Sequence, residues 1–181
     1  MPRLSAVHRP FDGVTLLARS PSEDSRGLFD RLYCTEDLQE FVQHRNLSQA
    51  NRSVTRKKGV VRGLHFQAAP YAEMKVITCL RGEVFDVAVD LRPDSATYLK
   101  WYGTVLSGQN ARTLIIGEGF AHGFQTLTED CEMLYFHTAP FNANAERGAR
   151  PTDPLLGIEW PLPITEMSAR DSAHPLLTPR A

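Results

Sequence analysis

Val84-Phe85-Asp86-Val87-Ala88-Val89-Asp90-Leu91 is the stretch that decides the fold. A period of two puts Phe85, Val87, Val89 and Leu91 on one face and Asp86, Ala88 and Asp90 on the other, so an apolar face is backed by acids, as in the wall of a sheet. Working outward, β-rich runs of similar length lie at residues 60–66, 75–80, 101–106, 113–116 and 132–138. Turn clusters separate them: Arg81-Gly82, Arg92-Pro93-Asp94-Ser95, Ser107-Gly108-Gln109-Asn110 and Gly117-Glu118-Gly119. Short strands at such regular spacing predict a mainly β fold, an antiparallel sandwich or barrel of the jelly-roll kind. One clear helix is expected, with Thr35 as its cap, Glu36 and Asp37 in its first turn, and Leu38, Phe41 and Val42 at helical spacing. Proline-rich loops fill residues 151–179, with room for a turn of helix after Ser168.

With 181 residues, 42% of them hydrophobic, the chain can bury one sizeable core, and a single domain over residues 1–181 is expected. The 20 basic residues nearly balance the 21 acidic ones, which argues against nucleic acid or an anionic membrane as partner. Cys34, Cys79 and Cys131 are odd in number and unpaired in spacing, which suits reduced thiols. No apolar run of signal-peptide or membrane-spanning length follows Met1-Pro2-Arg3-Leu4-Ser5, so a cytoplasmic protein is expected.

The chemistry centres on Gly63-Leu64-His65-Phe66-Gln67. Leu64 and Phe66 are apolar, so alternation sends His65 to the opposite face, which a jelly roll turns inward toward a cavity. A carboxylate must then orient the imidazole, and Asp86 and Asp171 are both candidates. In Met133-Leu134-Tyr135-Phe136-His137, Tyr135 shares a face with Met133 and His137, where its phenol can act as a proton donor. Lys75 begins an apolar strand and can serve an enolate oxygen or a phosphate. His122 adds a second imidazole. The group Arg52, Arg56, Lys57, Lys58 and Arg62 suits a diphosphate. A metal centre is not expected: the position two after His65 is Gln67 rather than histidine, and no acid follows before Glu73.

Together these residues resemble the dTDP-4-dehydrorhamnose 3,5-epimerase family, which has a cupin-like jelly roll and acts on sugar nucleotides. The resemblance runs through Asp24-Ser25-Arg26-Gly27, Gln49-Ala50-Asn51, Val61-Arg62-Gly63-Leu64-His65-Phe66-Gln67, the block from Gly82 to Arg92, Gly119-Phe120-Ala121-His122-Gly123-Phe124, Leu156-Gly157-Ile158-Glu159-Trp160-Pro161 and Ser168-Ala169-Arg170-Asp171. It implies a nucleoside-diphosphate 4-keto-6-deoxyhexose as substrate and cofactor-free catalysis. It implies His65 as base held by Asp171, and Tyr135 as the acid on the other face of the sugar. Lys75 would meet the ketone oxygen, Arg62 and His122 would position sugar and diphosphate, and Arg26, Gln49, Asn51 and Glu146 would line the nucleotide end, with Arg170 completing the binding set. Family members are homodimers whose amino-terminal segments reach across to the partner, so the resemblance places Arg26 in a neighbouring subunit's site.

This chain departs from the family pattern at three points. Arg31 stands where the family usually has a glutamate that helps hold the nucleoside, Phe141 where it usually has a tyrosine, and Gly117 where a proline is common. The first bears on nucleotide choice and the second on whether C3, C5 or both are inverted. Readings of other kinds are a 3,4-ketoisomerase, for which His122 and His137 speak, a sugar-nucleotide binding module, and a metal-dependent cupin oxygenase, against which the missing His-x-His speaks.

Overall fold

The computed structural model describes residues 3–178. Its strands are β1 (Leu4–Phe11), β2 (Val14–Arg19), β3 (Ser22–Asp24), β4 (Gly27–Phe29), β5 (Gln49–Thr55), β6 (Val60–Gln67), β7 (Lys75–Arg81), β8 (Glu83–Asp90), β9 (Trp101–Ser107), β10 (Arg112–Ile116), β11 (Phe120–Thr126), β12 (Cys131–His137), β13 (Glu146–Gly148) and β14 (Glu166–Met167). Two short helices join them, α1 (Thr35–Leu38) and α2 (Ala169–Ala173). One sheet runs β1-β2-β10-β7-β12-β5, and the other runs β13-β6-β11-β8-β9 with β14 on β6. Neighbours pair antiparallel except β14 with β6. This is the expected jelly-roll sandwich, and β3 and β4 form a separate hairpin.

Three apolar layers explain the alternation. Between the sheets lie Leu16, Ile77, Val84, Ala88, Leu114, Phe124 and Met133. Leu17, Leu38, Val42, Met74, Val76 and Ile115 pack on the outer face of the first sheet, under α1 and the turn after it. Leu64, Val87, Val89, Ala121, Ala149 and Leu156 form the outer layer of the second sheet, joined by Trp101 and Trp160. Each fully buried aliphatic side chain contributes about 1.5–3 kcal/mol relative to exposure. In the deciding stretch, the acid-bearing face is therefore the interior one: Asp86 and Asp90 are fully buried, while Phe85, Val87 and Val89 belong to the outer layer. Asp90 is satisfied by Arg92, Ser95 and Thr97, and its carboxyl is lowered to about 2 because those bonds outweigh the opposing effect of burial.

The expected helix is shorter than its pattern. Cys34, not Thr35, is the N-cap and makes no side-chain capping bond, and the Thr35 hydroxyl pairs with Tyr33 instead. Gln43 and His44 adopt positive φ and end the turn, although Val42 still packs against the outer layer. After Ser168 a turn of helix does form, and Ser168 Oγ accepts the Asp171 N–H as a true cap. Cys34, Cys79 and Cys131 are free, and burial pushes the Cys79 thiol up to about 12. Among the described residues no helix is long and apolar enough to cross a membrane.

Candidate active site

A cavity of about 690 Å³ opens between the two sheets. From the second sheet β6 contributes Arg62, His65 and Gln67, and β11 contributes His122. From the first, β5 contributes Gln49, Asn51 and Ser53, β7 contributes Lys75, and β12 contributes Tyr135 and His137. The period-two reading thus places His65 and Tyr135 on facing walls of one cavity.

His65 is held by Asp171. Its Nε2 lies 2.7 Å from Asp171 Oδ1, and Asp171 Oδ2 accepts the Gly63 N–H at 3.3 Å. Burial would raise the Asp171 carboxyl, but the bond and charge of His65, the Gly63 N–H and Ser168 together bring it below its ordinary value. Gly63 is required here by its neighbours: its φ is +132°, and a Cβ would stand 2.5 Å from Gly123 Cα on β11. Asp86, the other candidate orienter, instead takes both its oxygens to His122 Nε2, at 3.0 and 2.9 Å. Burial lowers His122 below the usual imidazole value despite the opposing charge of Asp86, which favours the neutral ring as donor.

Tyr135 packs edge-on to His122, with ring centroids 6.0 Å apart, and its hydroxyl pairs with Ser53 at 3.0 Å. Burial pushes its pKa well above the ordinary phenol value, against the Ser53 bond, so the ring keeps its proton. Lys75 Nζ donates to the His65 carbonyl at 2.9 Å and stands 3.5 Å from Glu73 Oε1. Burial lowers its pKa below that of a free lysine, with Glu73 opposing. Glu73 also receives His137 Nδ1 at 2.9 Å and Gln67 Nε2 at 3.2 Å. For Glu73 burial acts upward, yet the His137 bond and the Lys75 charge win and its pKa falls.

The other sequence-predicted residues divide. Arg62, Glu146 and Arg170 line the cavity, with Arg170 paired to Glu146 at 2.9 Å and its Nη2 3.0 Å from His65 Nε2. Of the basic group, Arg52 reaches the cavity edge while pairing with Glu132, but Arg56, Lys57 and Lys58 do not line it, and Lys57 pairs with Glu166. Arg26 lies apart on the exposed β3–β4 hairpin, bound to Asp24. Phe141 sits exposed on the cavity lining, and Arg31 is exposed outside it.

Sequence reasoning did not anticipate Glu73 as a cavity group or His174 beside the dyad. Glu73 carried a usable signal, since it stands two residues before Lys75 on the same side of an extended segment. His174 carried one too, since it caps the end of α2 three residues after Asp171, a spacing that puts two side chains on one side of a helical turn. One nitrogen or oxygen each from His65, Asp171 and His174 lies within 4.8 Å of the others, a spacing that invites comparison with a metal site. Arg170, its side chain 54% exposed, brings its guanidinium 3.0 Å from the same His65 nitrogen and 3.8 Å from Asp171, so a cationic side chain already stands beside this group.

The family model for dTDP-4-dehydrorhamnose 3,5-epimerase matches residues 8–179. The chain is 43% identical over 165 residues to a dTDP-4-dehydrorhamnose 3,5-epimerase of Sinorhizobium fredii, covering 91% of this chain and 85% of that one. A dTDP-4-dehydrorhamnose 3-epimerase of Streptomyces niveus is 38% identical over 167 residues, covering 92% and 80%. Among solved structures, the dTDP-6-deoxy-D-glucose-3,5-epimerase of Legionella pneumophila in complex with dTDP-4-keto-L-rhamnose superposes with a TM-score of 0.90 at 34% identity, covering 96% of this chain and 92% of that one. With a jelly roll, a facing imidazole and phenol, and these likenesses over nearly all of its length, the chain belongs to the dTDP-4-dehydrorhamnose 3,5-epimerase family of isomerases.

Proposed function

We propose that this protein epimerises a dTDP-linked 4-keto-6-deoxyhexose by proton abstraction beside the ketone and reprotonation from the opposite face. The observation that carries the reading is the placement of His65 and Tyr135 on opposing walls of one cavity. His65, with Nε2 engaged by Asp171, takes the C–H proton, and the bonding electrons pass to the ketone oxygen as an enolate. The Lys75 ammonium stabilises that oxygen. Tyr135, kept protonated by burial, returns a proton to the other face, which inverts the carbon. Asp171 orients the base, Arg62 and His122 position sugar and diphosphate, and Gln49, Asn51, Glu146 and Arg170 line the rest of the substrate's path. Neither carbon needs a metal or cofactor when Lys75 stabilises the enolate oxygen, because the ketone already acidifies the neighbouring C–H.

Incubation with dTDP-4-keto-6-deoxyglucose in deuterated water should place deuterium at C3 and C5. Exchange with a CDP- or GDP-linked ketosugar and none with the dTDP compound would overturn the choice of nucleotide. A second reading, inversion at one centre, rests on Phe141, which brings a ring without a hydroxyl to the cavity lining. Deuterium at C3 alone would decide for it.

The proposal extends to assembly and place of action. Leu28 and Phe29 are 60% and 63% exposed on the hairpin that carries Arg26, an apolar tip suited to a second copy of this chain, whose cavity Arg26 would complete. Sedimentation should give a homodimer, and Phe29→Asp a monomer. The free cysteines fit the reducing cytoplasm.

A further inference from the structure

We infer that Glu73 is a positioning residue for this site: clamped by His137 and Gln67, it is the counterion that holds the Lys75 ammonium charged against the cavity. The inference rests on the proposed role of Lys75 at the ketone oxygen and deepens it.

The carboxylates facing Lys75 come from different elements. Asp86 of β8 is bound by His122 of β11, and Glu146 of β13 by Arg170. Glu73, from the segment before β7, is the one within ion-pair distance of Nζ among the described residues, at 3.5 Å. The imidazoles of His122 and His137 also face this region, as does the His65 carbonyl, which accepts from Nζ. A lysine this enclosed loses its proton readily unless an anion stands beside it.

What keeps Glu73 an anion is a chain of donors pointing one way. The Phe141 N–H donates to Gln49 Oε1 at 2.9 Å, and Gln49 Nε2 donates to Asn51 Oδ1 at 3.1 Å. Asn51 Nδ2 meets His137 Nε2 at 3.3 Å, and His137 Nδ1 meets Glu73 Oε2 at 2.9 Å. The His137 tautomer with its proton on Nδ1 satisfies both contacts, so each link from the cavity mouth inward donates toward Glu73. Aligned donors polarise one another and stabilise the charge at the end of the line. Gln67 Nε2 adds a further donor from β6. The side chains of Glu73 and Lys75 are only 8% and 9% exposed, so water screens their attraction little.

The test titrates the Lys75 amine by nitrogen-15 NMR in substrate-free protein, with the signal assigned by its loss in Lys75→Met. Glu73→Gln should lower the Lys75 midpoint by about one unit or more, as expected for removing an opposite charge at this range. In turnover the alkaline limb of kcat should move down by the same amount with KM changed less than about twofold. Glu73→Asp, which keeps the charge, should restore most of the limb. If Glu73→Gln does not fold, His137→Gln, which weakens the donor chain, should shift the midpoint in the same direction by less. An unchanged Lys75 midpoint in a folded variant overturns the inference, as does a rate loss equal at every pH. Because the titration uses no substrate, failure of wild-type protein to exchange deuterium would sink the proposed function and leave the Lys75 result standing on its own.

Discussion

Of the three imidazole–carboxylate pairs among the described residues, two stand side by side, and their residues His65 and His122 are direct partners across β6 and β11. His65 is 30% exposed at its side chain and takes its acid from α2, a helix delivered by the carboxy-terminal segment. His122 is 7% exposed and takes its acid from β8, the next strand of the same sheet, where Asp86 is fully enclosed. The same two functional groups therefore differ in water access and in what supports them. An open imidazole backed by a buried acid can exchange protons with a ligand, whereas a pair closed within the sheet is chiefly a fixed donor and a piece of the interior. For these two pairs, exposure of the imidazole separates them where residue type does not.

The comparison breaks most visibly if both pairs serve turnover alike. His65→Ala should cost 10³-fold or more in deuterium exchange, within the roughly 10²–10⁴ range of lost acid–base catalysis, while melting near the wild-type temperature. Asp171→Asn keeps one acceptor, its amide oxygen, for the Gly63 N–H and should lose about 10²-fold in kcat with stability changed by no more than about 1 kcal/mol. His122→Phe should cost stability as well as substrate positioning. It leaves the Asp86 carboxylate buried without a donor, and urea unfolding should show a loss of about 3 kcal/mol. Equal stability losses in Asp171→Asn and His122→Phe would erase the distinction.

Acidity sharpens it further. The folded protein lowers His122, so below the ordinary imidazole range near pH 6.5 the unfolded chain binds a proton that the folded one resists, and stability falls as pH drops. The slope for one such group is at most about 1.4 kcal/mol per pH unit. Asp171 is also lowered, but for an acid the window is different: its contribution is complete above the unfolded carboxylate value near 3.9 and is lost as pH falls through the folded value. Glu73 follows the same sign. Stability plotted between pH 7 and 5 should flatten in His122→Gln and steepen somewhat in Asp171→Asn, which removes a charge that holds His174 up. His174, lowered by burial as well, leaves part of the slope in both.

How much of this was legible in the sequence depends on how each residue is delivered. The residues of β6, β8 and β12 followed from period-two alternation, because both faces of those strands pack and the pattern survives, while β7 showed as an apolar run begun by Lys75. Inner-wall positions such as Tyr135 and Lys75 came with them. The strand β5 left no such trace, since Gln49, Asn51 and Ser53 face a polar cavity and the strand lies at a sheet edge. In β11, His122 and two small residues interrupt the apolar run. Periodicity left Asp86 and Asp171 equal as partners for His65, because it says nothing of where a distant loop docks. The family resemblance chose Asp171, and the 2.7 Å contact agrees. The exposed placement of Arg26 left no periodic trace, since its hairpin is hydrogen-bonded into neither large sheet and Arg26 itself is bound to Asp24.

The smallest expected effect concerns the mouth of the cavity. Phe141 is 55% exposed, and its ring contributes to the lining while its N–H begins the donor chain through Gln49. Phe141→Tyr adds a hydroxyl without touching that N–H, so stability should stay within about 0.5 kcal/mol, as for surface substitutions generally. If the missing hydroxyl governs which carbon is presented to His65, the ratio of C5 to C3 exchange should rise by about threefold to tenfold, a change of roughly 0.7–1.4 kcal/mol in relative barrier. An unchanged ratio would return the choice of centre to the interior pair of walls, where Tyr135 and His65 face each other.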